Sequence, residues 1–175
     1  MILSVEEVRD LCPGMADEAI KARLDAIEDC IRAYTNNPFQ IRAARFSAPS
    51  EGSTLAASSA YILAGDTVQI SESGVNDGLY VVQSVSENST VLDRDLFPVD
   101  HNLVTKVEYP AAIKGVVRNL LQWERDGRSK VGVKSETLSR YSVTYYDQQS
   151  TGSSYVMGYP ASLMGGLAPY RKARF

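Results

Sequence analysis

The sequence predicts an α+β protein: a small helical bundle of three main helices, an inserted small β-sheet or partial barrel, and an extended C-terminal arm. Three observations predict it. Before residue 36 and after residue 109, apolar residues recur at spacings of three and four. Between them, short alternating runs are separated by Ser-, Gly- and Asn-rich turns, and beyond residue 147 no periodicity remains. The expected organisation is a helical core over 1–46 and 107–147, a β module over 47–106, and an arm over 148–175.

The first helix is written by its cap. Ser4 and Glu7 form an S-x-x-E capping box, Leu3 and Val8 flank it as a hydrophobic staple, and Pro13-Gly14 stops the helix beyond about Leu11. Asp17 is placed to cap a second helix whose stripe, Ile20, Leu24, Ile27, Ile31 and Tyr34, is spaced 4, 3, 4 and 3. Asn36-Asn37-Pro38 ends it, because a residue before proline is pushed out of the helical region. A Ser/Gly/Ala-rich connection follows, and then strands at 61–63, 67–71, 79–86, 90–93 and 103–108. Asn76-Asp77-Gly78 and Glu87-Asn88-Ser89 read as turns between them. At Tyr109-Pro110 helical spacing returns, with proline at the first helical position, and Ile113, Val116, Val117, Leu120, Leu121 and Trp123 make a wide apolar arc. After Gly127 and a basic stretch, RYSVTYYD alternates as one more strand.

The last 29 residues hold Tyr155, Tyr159 and Tyr170 among glycines and prolines and end in Arg171, Lys172, Arg174 and Phe175. Fully extended they would reach about 90 Å. Two readings fit: a disordered terminus, or an arm whose aromatic residues dock on a partner.

A length of 175 residues supports a core without staples, and 44% hydrophobic with 22% charged residues is a globular composition. Cys12 and Cys30 lack the spacing of a disulfide framework or zinc site and read as buried small apolar residues in a reducing compartment. No run approaches a membrane span, and the first residues lack the apolar stretch of a secretion signal. Net charge is −3, but its distribution is uneven. Residues 1–46 carry six basic and eight acidic side chains, 47–108 two and nine, and 109–175 ten and four. Either these are solvated charges that happen to cluster, or an acidic face on one copy meets a basic face on the next.

No catalytic signature emerges. His101, the only histidine, follows Asp100 in an apparent loop without an accompanying nucleophile and reads as an exposed loop residue. Neither phosphate-binding glycine motif occurs, and Gly165-Gly166 precedes no helical pattern. Asp93, Asp95 and Asp100 lack the glycine and terminal glutamate of a calcium loop, and Asn88-Ser89-Thr90 reads as turn chemistry rather than a glycosylation site. The basic residues Arg125, Arg128, Lys130, Lys134 and Arg140 could touch phosphates or an acidic protein surface, but Asp126 and Glu136 dilute them and no stacking aromatics interleave. Catalytic residues, metal ligands and cofactors are therefore not expected.

The order of capped helix, Pro-Gly break, amphipathic helix ending in YTNNPF, then YPAAIKGVVRNLLQWERDG and GVKSETLSRYSVTYYD resembles the head-tail connector family of tailed bacteriophages, also called adaptor or head-completion proteins. It covers about residues 1–46 and 107–147; LAGDTVQISESGVNDGLYVVQSVSENSTVLDRDL resembles a small β module of phage head and tail proteins. The resemblance implies a structural virion protein, not an enzyme, assembled in the host cytoplasm into a ring of about twelve copies at the head-tail interface. Its implied partners are the portal, a stopper or tail-completion protein, and double-stranded DNA that passes without sequence specificity; no membrane is implied. Tyr155, Tyr159, Tyr170, Arg171, Lys172, Arg174 and Phe175 are the expected contacts to portal or neighbouring subunit, and Arg125, Arg128, Lys130 and Lys134 possible subunit or DNA contacts. On this reading, deleting residues 155–175 prevents portal attachment and leaves the core folded. The competing expectation is a monomeric tail-completion or host-interaction module that binds through the β insertion.

Overall fold

The computed structural model describes residues 1–126, 135–138, 141–144 and 155–173. Its chain divides into two compact units, one of Pro38–Tyr109 with Met1, the other of Ile2–Asn37 with Pro110–Phe175.

The first unit is a closed antiparallel barrel of six strands: β1 (Gln40–Glu51), β2 (Thr54–Leu55), β3 (Thr67–Ser71), β4 (Gly78–Val85), β5 (Thr90–Leu92) and β6 (Val99–Val107). Around the barrel the order is β1-β2-β5-β4-β3-β6, and β1 pairing with β6 closes it. Register shifts between Ile41 and Arg45 and between Ala48 and Ser50 bend β1, so that one strand pairs with both β6 and β2. Leu55, Ile62, Val68, Ile70, Val82, Leu92 and Val104 fill the interior, each no more than 1% exposed.

This barrel corrects three expectations. The dominant core is its interior rather than a helical bundle, because the residues read as a connection after Phe46 belong to the twelve-residue strand β1. That strand turns Ala44, Ala48 and Ser50 inward, and such small residues give little hydrophobic alternation to read. Residues 61–63 form an irregular turn, not a strand: Ile62 is buried between exposed Tyr61 and Leu63, which imitates strand alternation over three residues.

In the second unit, Ser4 caps the short α1 (Val5–Val8) as the sequence predicts. The Glu7 amide donates to Ser4 Oγ at 3.3 Å and the Ser4 amide to Glu7 Oε2 at 2.8 Å, while Leu3 and Val8 are both buried. The chain tightens into a 3-10 turn over Arg9–Leu11. Helix α2 (Asp17–Thr35) starts with Ala16 at its cap, because the Asp17 carboxylate instead pairs with Arg9 at 2.7 Å. Ile20, Leu24, Ile27 and Ile31 are buried along its stripe, and Asn36, at φ 48°, ends it in the left-handed conformation.

Helix α3 (Ala111–Asp126) buries Ile113, Val116, Val117, Leu120 and Leu121; Trp123, expected in the core, is half-buried. A hairpin of β7 (Ser135–Leu138) and β8 (Tyr141–Thr144) follows, the second strand where the sequence predicts one. The expected free arm is instead folded over Tyr155–Ala173: strands β9 (Tyr155–Val156) and β10 (Tyr159–Pro160), helix α4 (Ala161–Met164) and a 3-10 turn at Gly165–Tyr170. That turn packs against both α2 and α3. Glycine and proline disguise it, since Met164 and Leu167, at 1% and 0% exposure, are too few to show a period.

The Ser4 cap carries a pH signature. The backbone hydrogen bond from Ser4, aided by Lys114 and Arg118 and opposed by partial burial, holds the Glu7 carboxyl below its ordinary value. A depressed carboxylate contributes stability above its unfolded pKa, and that contribution is lost as pH falls through the folded value. Ser4→Ala is expected to destabilise the unit by about 1 kcal/mol near pH 7. In urea titrations the gap between wild type and Glu7→Gln, which removes the charge on the partner of the Ser4 amide, should narrow as pH drops below the carboxylate range; a gap constant with pH would show that the Glu7 charge takes no part in the cap.

Candidate interaction surface

Strand directions sort the barrel's loops into two ends. Gln40 and Val107, where the chain enters and leaves the barrel strands, are paired at one end. At the opposite end lie the connections between β1 and β2, β3 and β4, and β5 and β6, which form a distal rim.

Buried asparagines hold this rim together. Asn76 is 2% exposed and Asn102 is fully buried. Asn76 Nδ2 donates to the Phe97 carbonyl at 2.9 Å and to Asn102 Oδ1 at 3.1 Å, and Asn76 Oδ1 accepts from the Phe97 amide at 2.8 Å. Asn102 Nδ2 donates to the Ala48 carbonyl at 3.0 Å, and Ser50 Oγ to the Phe97 carbonyl at 2.8 Å. The Leu96 amide donates to the Gly52 carbonyl, which ties in the remaining loop. Tyr80 completes the network by donating its hydroxyl to the Asn76 carbonyl at 2.8 Å. Burial pushes its phenol above the ordinary value, with Arg94 pulling the other way, so the hydroxyl keeps its proton as a donor.

What the network presents outward is apolar and acidic. Val75 is 58% exposed and Phe97 67% exposed, and the Asn76–Phe97 hydrogen bonds bring their loops together. Six acids belong to the rim: Glu51, Glu72, Asp77, Asp93, Asp95 and Asp100. Asp77 Oδ1 accepts from the Ser73 and Gly74 amides, and Asp93 Oδ1 from the Val81 amide, which fixes two of these carboxylates to the backbone. The rim's one cationic side chain, Arg94, lies over the Tyr80 ring at 4.4 Å and donates to the Leu79 carbonyl. Toward the other end, Asp66, Glu87 and Glu108 are balanced by Arg42, Arg45 and Lys106. The negative charge of the barrel is therefore concentrated at the rim.

The residues singled out in the C-terminal segment are engaged within their own unit. Tyr155 and Tyr159 pack on Trp123 with ring centroids 6.3 and 5.7 Å away, and the Tyr159 hydroxyl donates to buried Glu124 at 2.7 Å. Arg23 approaches the same carboxylate at 3.4 Å. The Lys172 amide donates to the Thr35 carbonyl at 2.7 Å, Asn37 Nδ2 to the Tyr170 carbonyl at 3.1 Å, and Asn36 Nδ2 to the Ala173 carbonyl at 2.9 Å. Arg171 lies 5.1 Å from the Tyr34 ring centroid. Arg125 is exposed and pairs with Asp126 at 2.7 Å. Arg128, Lys130, Lys134, Arg140, Arg174 and Phe175 lie outside the described residues.

His101 Nδ1 lies 2.8 Å from Ser47 Oγ, a pairing between β6 and β1 that the sequence could not foretell. Both residues are exposed, and no carboxylate among the described residues is bonded to the ring's other nitrogen. It is a hydrogen bond on the barrel wall without the third group that orients a catalytic histidine. Among the described residues, no cluster of three His, Cys, Asp or Glu is placed to hold a metal ion, and no helix is long and apolar enough to cross a membrane.

Sequence reasoning missed Val75, Phe97 and the role of Asn76. The available signal was Phe97-Pro98 inside an acidic loop, where an aromatic residue has no strand to serve. Neither a protein-family model nor a curated protein matches the chain significantly.

Proposed function

We propose that this chain is a structural virion protein, a head-tail connector that forms a ring under the portal of a tailed bacteriophage, extends the DNA channel and joins the head to the stopper or tail. The observation that carries the reading is the pairing of two separately folded units of opposite charge in one chain. The barrel unit, Pro38–Tyr109, has four basic and nine acidic residues, while the rest of the chain is net positive. A closed ring needs one surface of a subunit to meet a different surface of the next, and opposite charges favour that head-to-tail contact over like-to-like pairing. The resemblance over the helical segments agrees with it. An acidic rim also has no hold on phosphates, as suits a protein around moving DNA.

The exposed Val75–Phe97 rim favours a second reading, a monomeric module that binds through the barrel. Mass photometry and negative-stain imaging over a wide concentration range, with and without purified portal, separate the two. A connector gives rings of about twelve copies with a central hole, alone or on the portal. A chain that stays monomeric with portal at every concentration belongs to the second reading.

A further inference from the structure

We infer that the distal rim of the barrel is the surface by which one copy of this chain engages the next, and that its counterpart is the exposed basic stripe of helix α3. The inference rests on the ring reading and names the contact that would build the ring.

The rim offers an apolar centre inside a negative border. Phe97 and Val75 are exposed large apolar side chains on loops stitched together by buried asparagines, so docking requires no loop ordering. Six carboxylates belong to the same rim, against the one cation Arg94, whose guanidinium is already laid on Tyr80. Such a border rejects an apolar or acidic partner and selects a basic one.

The same chain carries a matching surface. On α3, Lys114, Arg118 and Arg125 are all exposed, and their spacing of four and seven places them within about 40° around the helix axis. Lys114 and Arg118 act on the Glu7 carboxylate of α1, and Arg125 pairs with Asp126 and also feels Asp10; these acids are the charges the stripe already faces. Glu124, the other acid of α3, is buried against Tyr159. Two cations against the single carboxylate of Glu7 leave the Lys114–Arg118 end of the stripe positive, while Asp126 and Asp10 answer Arg125.

Rim-to-stripe contact is heterologous. Each copy uses both surfaces once, so assembly continues until the last rim meets the first stripe. Each exposed ion pair contributes little affinity. Burial of Phe97 therefore supplies attraction while the charges supply selection, and the contact should weaken with salt.

The test uses the full chain, with purified portal added where assembly requires it, read by mass photometry. Two charge reversals are made, a rim variant Glu72→Lys with Asp95→Lys, and a stripe variant Lys114→Glu with Arg118→Glu; circular dichroism checks that each folds. Wild type should assemble at about 50 mM salt and lose assembly by about 500 mM. Phe97→Ser should reduce assembly at least tenfold at every salt. Each reversal alone should give monomers, and mixing the two should restore large alternating assemblies, because the basic rim of one variant meets the acidic stripe of the other and the acidic rim of the second meets the basic stripe of the first. All four changes in one chain should restore large assemblies. Rim variants that form rings like wild type overturn this inference and leave the ring reading standing. A wild-type chain that assembles neither alone nor on the portal overturns both.

Discussion

Deleting residues 155–175 is expected to unfold the helical unit. Met164 and Leu167 are buried to 1% and 0% exposure, and the 3-10 turn that carries Leu167 touches both long helices. Loss of one such side chain to alanine typically costs about 2–5 kcal/mol, against a total domain stability of about 5–15 kcal/mol. The deletion removes both side chains. It also uncovers Trp123, takes Tyr159 from buried Glu124, and strips the last turn of α2 of the Lys172 amide on the Thr35 carbonyl. Leu167→Ala alone should destabilise the unit by about 2–5 kcal/mol. In chemical denaturation followed by circular dichroism, the truncated chain should lose the helical transition and keep a barrel transition, since the barrel has its own core. A truncated chain with wild-type helical stability would show that the segment is an appendage. Portal binding by the truncated protein thus becomes a readout of folding before it is one of contact, and point changes at exposed Arg171 and Lys172 are the cleaner probe.

Asn76→Ala should be the most damaging single change in the barrel that removes no apolar volume. The substitution leaves the Phe97 amide without its acceptor and removes a donor from both the Phe97 carbonyl and Asn102 Oδ1, in a site where Asn102 is fully buried. Each group stripped of its partner costs about 1–3 kcal/mol, so a loss of about 3–5 kcal/mol is expected. Asn76→Asp should do no better, because a carboxylate cannot donate to Phe97 or Asn102. Urea denaturation measures the loss, and hydrogen exchange should show faster opening of residues 93–99. Unchanged exchange there would mean that the rim is held by its backbone alone. If the rim is the subunit contact, the same variant should also assemble poorly below its unfolding transition.

How much of this was legible in the sequence depends on how each element hides its inner face. Helices α2 and α3 were plain because Ile20, Leu24, Ile27 and Ile31, and Val116, Val117 and Leu120, are large and regularly spaced. Strands β3 to β5 and the second half of β6 were legible from alternation and turn residues, whereas Val99–Asn102, with His101, read as a loop and are strand. Strand β1 was not, since its inward Ala44, Ala48 and Ser50 carry so little hydrophobicity that a connection and a strand read alike. Asn76 was legible as a turn former but not as the hub of a buried network, because its partners stand 21 and 26 residues away. The rim was half visible: Asp93, Asp95 and Asp100 declared its charge, while the joining of the loops that carry Val75 and Phe97 follows from strand order, which no local pattern encodes. The C-terminal segment misled for the opposite reason. Its glycines and prolines look like those of a free tail, and its anchoring rests on Met164, Leu167 and hydrogen bonds to the end of α2.

The pairing of Gln40 with Val107 has a consequence for heredity. Because the barrel begins and ends on neighbouring residues, the flanking chain spans its feet as it would those of a single hairpin, however much protein lies between. A gene segment encoding such a cassette can be acquired, lost or exchanged for another in one recombination event without lengthening the gap that the helices must bridge. Lineages could then share the helical unit while differing in what stands between Asn37 and Pro110, with the remaining core as it was.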